Sequence, residues 1–75
     1  SNLSTSIEYS LNQAGHASLE VFDMQMKLIE KLVDRNHGSG SHLVVWKTAN
    51  KPAGQYFYRL AYQGFSDVKS LLIIH

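Results

Sequence analysis

The sequence predicts an all-β fold, an antiparallel β-sandwich or small barrel. Three observations carry this expectation. Apolar and polar residues alternate through several short stretches, the period-two pattern of strands with one wet face. Turn-forming glycine, asparagine, serine and proline separate those stretches at short intervals, as they do in sandwiches and barrels. The chain has 75 residues and no cysteine, so one domain must hold together by packing alone.

Thr5 to Leu11 is the first strand, with Ile7, Tyr9 and Leu11 on one face and Glu8 and Ser10 on the other. Gln13 to His16 turns the chain, with Gly15 available for a positive φ. Ala17 to Phe22 alternates again, Ala17, Leu19 and Val21 against Ser18 and Glu20. Asp23 to Met26 is a tight turn, and the Asp23 side chain is expected to accept backbone N–H bonds there. Lys27 to Val33 has two readings. Met24, Leu28, Ile29, Leu32 and Val33 also match helical spacing in a stretch of good helix formers. Strands on either side and short links favour a strand.

Asp34 to Ser41, rich in Gly and Ser, reads as a loop. Leu43 to Trp46 is a short strand ending in the only tryptophan. Lys47 to Gly54, with the only proline, is a second loop. Gln55 to Tyr62 is the strongest strand, placing Tyr56, Tyr58 and Leu60 opposite Phe57, Arg59 and Ala61. Gln63-Gly64 is a hairpin turn. A last strand starts at Phe65 or Ser66 and runs to Ile74. It becomes apolar on both faces, which suits an interior position.

Seven Lys/Arg against six Asp/Glu leave a formal charge of +1, scattered along the chain. That distribution offers neither a nucleic-acid tract nor an acidic tail. The apolar run Leu71 to Ile74 is far too short to cross a bilayer. The N-terminus lacks the positive start of a signal peptide. The chain opens on Ser1 and reads as a piece excised from something longer, with Ser1-Asn2 as a tag remnant.

His16, His37, His42 and His75 invite a metal reading, but no pair has H-x-x-x-H or H-x-H spacing and no Cys accompanies them. Solvated turn and rim histidines are the expectation. Asp23, Asp34 and Asp67 with the serines contain the letters of a Ser-His-Asp set, yet no G-x-S-x-G elbow is present. A domain this small is expected to have little room for a pocket of ~300 Å³. No catalytic, cofactor or metal residues are assigned, no D-x-D-x-D-G calcium loop occurs, and the chain is read as a non-enzyme. Trp46 with Tyr56, Tyr58 and Tyr62 is a candidate platform for sugar or single-stranded nucleic acid. Phe57 points to the opposite face from Tyr56 and Tyr58, which favours core packing instead. Arg59 shares Phe57's face and can stack on a ring there.

At Pro52-Ala53-Gly54-Gln55-Tyr56-Phe57-Tyr58-Arg59-Leu60 the chain resembles the C-terminal sorting domains of type IX secretion cargo in Bacteroidetes. Their wider relatives are the Ig-like domains of the flagellar hook-capping type. Gly54, Tyr56, Tyr58, Arg59 and Leu60 fit the family's G-x-Y-x-y-r-l strand. The other motifs follow in order: Ile7 to Leu11 fits I-x-Y-x-L, and Leu19 to Asp23 fits L-x-V-Y/F-D. Ile29 and Leu32 fit V-x-x-L; Gly40, His42, Val44 and Trp46 fit G-x-H-x-V-x-W. Lys69 falls where the last strand usually carries lysine. The resemblance spans Ile7 to Ile74.

Four positions depart from the pattern. Met26 stands where the turn after the Asp usually has glycine, and Met resists a positive φ. Lys47 stands where an Asp often follows the Trp, Ser70 where a second lysine is common, and His75 where Lys or Arg is common. Elementary chemistry supports the matched positions. Gly54 lets the incoming loop bend without a Cβ clash, and Pro52 stiffens that loop. Trp46 at a strand end can plug the sandwich while its N–H finds a partner.

The resemblance implies an Ig-like antiparallel β-sandwich of six to seven strands over residues 1–75, the C-terminal module of a larger exported protein. It implies a secretion signal that addresses an N-terminal passenger to the outer-membrane translocon, with shuttle and sortase proteins as further partners. The route leads through the periplasm to the cell surface or medium. No cofactor is implied. Lys69, Leu71, Leu72, Ile73 and Ile74 are the recognition candidates. Gly54, Tyr56, Tyr58, Arg59, Trp46 and Asp23 hold the shape. The alternative is a non-catalytic Ig-like accessory domain of a secreted enzyme or adhesin, serving as spacer, stabiliser or carbohydrate-binding module.

Overall fold

The computed structural model describes residues 4–74. The readings placed on Ser1-Asn2 and on His75 lie outside the described residues. Six strands follow one another: β1 (Ser4–Leu11), β2 (Gly15–Phe22), β3 (Leu28–His37), β4 (Gly40–Lys47), β5 (Gly54–Tyr62) and β6 (Phe65–Ile73). Every strand pairing is antiparallel, and there is no helix among the described residues.

The strands form two layers. One is the two-stranded sheet β1-β4 and the other the four-stranded sheet β3-β2-β5-β6. The chain changes layer between β1 and β2, between β3 and β4, and between β4 and β5. This is a small β-sandwich in which the smaller layer pairs two strands distant in sequence, β1 and β4, while β2–β3 and β5–β6 are hairpins of the larger sheet. Ile7, Tyr9 and Leu11 from β1 meet Ala17 and Leu19 from β2 and Val33 from β3 in one half of the core. Val21, Trp46, Tyr56 and Ile73 fill the other half. The alternating faces of β1 and β2 are therefore the ones the sequence pattern marks.

The segment with two readings is the strand β3. Its helix-like spacing has a specific cause. Against β2, Leu19 faces Val33 but Glu20 faces Lys31, and Val21 faces Glu30 but Phe22 faces Leu28. Leu32 and Ile29 are thus extra residues at two bulges. Each bulge breaks the period of two and yields the adjacent apolar pairs Leu28-Ile29 and Leu32-Val33.

Two boundaries differ from expectation. The Gly/Ser loop is not Asp34 to Ser41. Asp34 to His37 continue β3 opposite Gly15 to Ser18, and Gly40 and Ser41 belong to β4 opposite Leu11 and Ser10. Backbone pairing satisfies these N–H and C=O groups while Asp34, Arg35 and Asn36 project into water, so polar composition alone misleads. The second difference is β6. It pairs with β5 only and forms the edge of its sheet, not an interior strand. Its apolar outer residues are exposed, Leu72 by 63% and Val68 by 49%.

The turns follow residue chemistry. Gln63 (φ 50°) and Gly64 (φ 76°) both lie at positive φ, the requirement of the two-residue hairpin that joins β5 and β6. Gly15 contributes space rather than a positive φ. A Cβ there would sit 2.7 Å from the Gln63 Nε2, which donates to the Ala14 carbonyl at 3.1 Å.

Candidate recognition surface at the free edge

The last strand divides its candidate residues between core and solvent. β6 is paired without interruption, from Tyr62 opposite Phe65 to Gly54 opposite Ile73. Side chains alternate along it. Ile73 is buried at 5% exposure and anchors the strand beside Trp46 and Tyr56. Leu71 is half-buried and packs on the same cluster. Ile73 thus offers no surface to a partner. Lys69, Leu72 and Ile74 are the recognition candidates that stay exposed.

Next to this edge the sandwich is open. A groove of about 340 Å³ runs between β1 and the inner face of β5 and β6. Tyr58 and Leu60 line it, with Glu8 on one wall and Asp67 and Lys69 on the other. The expectation that so small a domain lacks room for such a space is corrected. The two-stranded layer is narrower than the four-stranded one, and it leaves part of the larger sheet's inner face uncovered.

Three of the shape-holding residues, Gly54, Tyr56 and Trp46, gather at the start of β5. Gly54 adopts φ 143° as the loop enters the strand, a backbone region that side chains avoid. Two residues on, the Tyr56 hydroxyl donates to the Pro52 carbonyl at 2.7 Å, the geometry of a tyrosine corner. Trp46 has no exposed surface. Its ring meets Tyr56 edge-on, with centroids 5.5 Å apart, and its N–H donates to Glu30 Oε1 at 3.1 Å. Complete burial removes Trp46 from any sugar or nucleic-acid platform, because a stacking ring must present its face to the ligand. Glu30 as the partner of the indole escaped the sequence reading; its position at a bulge in β3 gives no linear signal.

Asp23 organises the β2–β3 turn as expected. Its Oδ1 accepts from the backbone N–H of Gln25 and of Lys27, both at 2.9 Å, and its carbonyl accepts from Met26 N–H at 2.9 Å. Met26 sits at φ 63°, the left-handed conformation that glycine takes without strain. Arg59 donates to Glu20 Oε1 at 2.6 Å and lies 5.3 Å from the Phe22 ring centre. The ring it stacks on is thus Phe22, the cross-strand neighbour of Phe57.

The histidines separate into two groups. His16 reaches Asp34 at 2.8 Å on the surface. His37 ends up in β3 and not in the expected loop, and its ring centroid lies 4.3 Å from that of His42 in β4. The Tyr9 hydroxyl is 3.0 Å from His37 Nε2, and His42 Nε2 is 2.7 Å from the Gly38 carbonyl. Partial burial and the nearby cations His42 and Arg35 lower the His37 pKa below its ordinary value. Among the described residues no three His, Cys, Asp or Glu side chains converge as a metal site would require. Asp23, Asp34 and Asp67 are likewise dispersed, to a turn, a surface pair and the groove.

These features define an antiparallel β-sandwich module with a regular, unbulged β6 edge and a groove beside it. No protein-family model matches the chain, and neither curated proteins nor solved structures give a significant match.

Proposed function

We propose that the chain is a sorting module of the type IX kind, which delivers a fused passenger to an outer-membrane translocon. The observation that carries this reading is the Asp23–Met26 turn. The family pattern places glycine four positions into that turn, and Met26 in that place adopts φ 63°. A methionine held in a glycine conformation is what an inherited turn with one substituted residue would look like. The Pro52–Tyr56 bond, the φ of Gly54 and the buried Trp46 support the same reading at three further motif positions.

Recognition on this reading is a protein–protein contact with the β6 edge, of the strand-addition kind. Lys69, Leu72 and Ile74 are its exposed contacts. Leu71 and Ile73 hold the strand in place from inside. Shuttle and sortase proteins would meet the same folded surface, and no cofactor takes part.

The test is a fusion of this chain to the C-terminus of a fluorescent protein carrying a Sec signal, expressed in a host with type IX secretion. Fluorescence at the cell surface or in the medium is expected. Retention of the whole fusion in the periplasm sinks the sorting role and leaves a passive accessory domain. A Lys69→Glu/Leu72→Glu variant separates recognition from folding, since both positions are exposed. It is expected to fold normally and to remain periplasmic.

A further inference from the structure

The two edges of the four-stranded sheet are guarded very differently. β3 carries two bulges and the charged, exposed residues Glu30, Lys31, Asp34 and Arg35. Bulges and charges are the devices that keep sheet edges from pairing. β6 has no bulge along its nine paired positions, and Phe65, Val68 and Leu72 are all exposed there. A long, regular, apolar edge is a template for another strand.

We propose that this edge is occupied by a second copy of the same chain, through antiparallel pairing of the two β6 strands about a two-fold axis at Val68. The charge order of β6 argues for this occupant. A two-fold axis normal to the sheet keeps the core-facing sides of both copies together, so the axis must pass through a residue shared by both strands. With Val68 on the axis, Asp67 lies opposite the second copy's Lys69, and Lys69 opposite the second copy's Asp67. Phe65 then faces the second copy's Leu71, and Ser66 faces Ser70. The two Val68 side chains meet on the outer face, and the two ion pairs lie together on the inner face with a Phe65–Leu71 contact beyond each.

Other registers lack this complementarity. An axis at Lys69 sets two ammonium groups face to face. An axis at Ser70 places Lys69 against Leu71 and Asp67 against Ile73. An axis at Leu71 leaves Lys69 against Ile73. Asp67 and Lys69 form no ion pair within one copy among the described residues, so both are available. Both face the inner side of the sheet at the groove. The second copy's strand would close the groove's open flank. The proposal shares the β6 edge with the sorting reading: a dimer would have to open before another protein could add a strand there, while a monomer leaves that reading untouched.

Sedimentation of the 75-residue chain from about 10 µM to about 1 mM tests it. The expected mass rises from 8.5 kDa towards twice that value. Asp67→Lys alone and Lys69→Asp alone set like charges opposite each other and should weaken the dimer about tenfold or more. The double variant Asp67→Lys/Lys69→Asp recreates both ion pairs and should restore it. Val68→Lys, at a position 49% exposed, should abolish the dimer while circular dichroism stays unchanged. A monomer across the whole range overturns the proposal. So does a dimer indifferent to these charges, because it uses another register or surface. Open-ended fibres overturn it too, since a two-fold pairing closes on itself.

Discussion

Tyr56 donates its phenolic proton to the main-chain carbonyl of Pro52 at 2.7 Å. The bond closes the loop that enters β5 onto the strand's own first residues. It also fixes the ring against which Trp46 packs edge-on. Tyr56→Phe keeps the ring and removes the donor, leaving the Pro52 carbonyl without this partner. A loss of about 1 kcal/mol in urea-unfolding free energy is expected, with the β-sheet spectrum retained.

Met26 at φ 63° holds a conformation that costs an L-residue about 1–2 kcal/mol. Met26→Gly removes that cost and gives back part of it as backbone entropy in the unfolded chain. A net gain of about 0.5–1 kcal/mol in unfolding free energy is expected. Met26 is 52% exposed, so the change takes little from the core. Unchanged or reduced stability would show that the side chain is held by contacts worth more than the strain.

Gly54 supplies the reciprocal case. At φ 143° the added methyl of Gly54→Ala meets no heavy atom within 4 Å, so any loss of stability reports backbone strain alone. A destabilisation of about 1–2 kcal/mol by urea melting is the expected result.

Much of this architecture is legible in the amino-acid sequence because one-sided burial writes a period of two. Ile7, Tyr9 and Leu11, like Ala17, Leu19 and Val21, are marked that way and are buried. Asp23 and Gln63-Gly64 are legible through turn chemistry. What escapes is decided by strand neighbours. Leu28-Ile29 and Leu32-Val33 mimic a helix because bulges fall there. Asp34 to His37 look like a loop because they form a wet outer strand. Leu71 to Ile74 look interior because both faces are apolar, whereas an edge position leaves one of them in water. The groove depends on unequal sheet widths, and the approach of His37 to His42 on a change of layer. Neither leaves a linear mark.

The His37–His42 pair makes stability depend on pH. His37 in the fold titrates below its ordinary value of 6.5, through partial burial and then the charges of His42 and Arg35. Above pH 6.5 the imidazole is neutral in both folded and unfolded chains and its effect on stability is nil. As pH falls through 6.5 the unfolded chain takes up the proton first, and the fold loses stability until the folded His37 is protonated as well. Unfolding midpoints in urea should therefore drop as pH falls below 6.5, and more steeply than in His37→Asn. Equal slopes in the two proteins would remove His37 as the cause.

The pairing of β1 with β4 sets the order in which the chain can fold. Ser4 lies opposite Lys47 and Leu11 opposite Gly40, so the whole β2–β3 hairpin intervenes. Hairpins β2–β3 and β5–β6 close over short turns, while the two-stranded layer requires a long loop whose entropy is lost before any contact rewards it. A chain emerging from the ribosome makes β1 well before β4 and gives it a mate only after Lys47 has been added. Throughout that interval Ile7, Tyr9 and Leu11 lack the partner strand that completes their layer, and β1 is left exposed to mispairing.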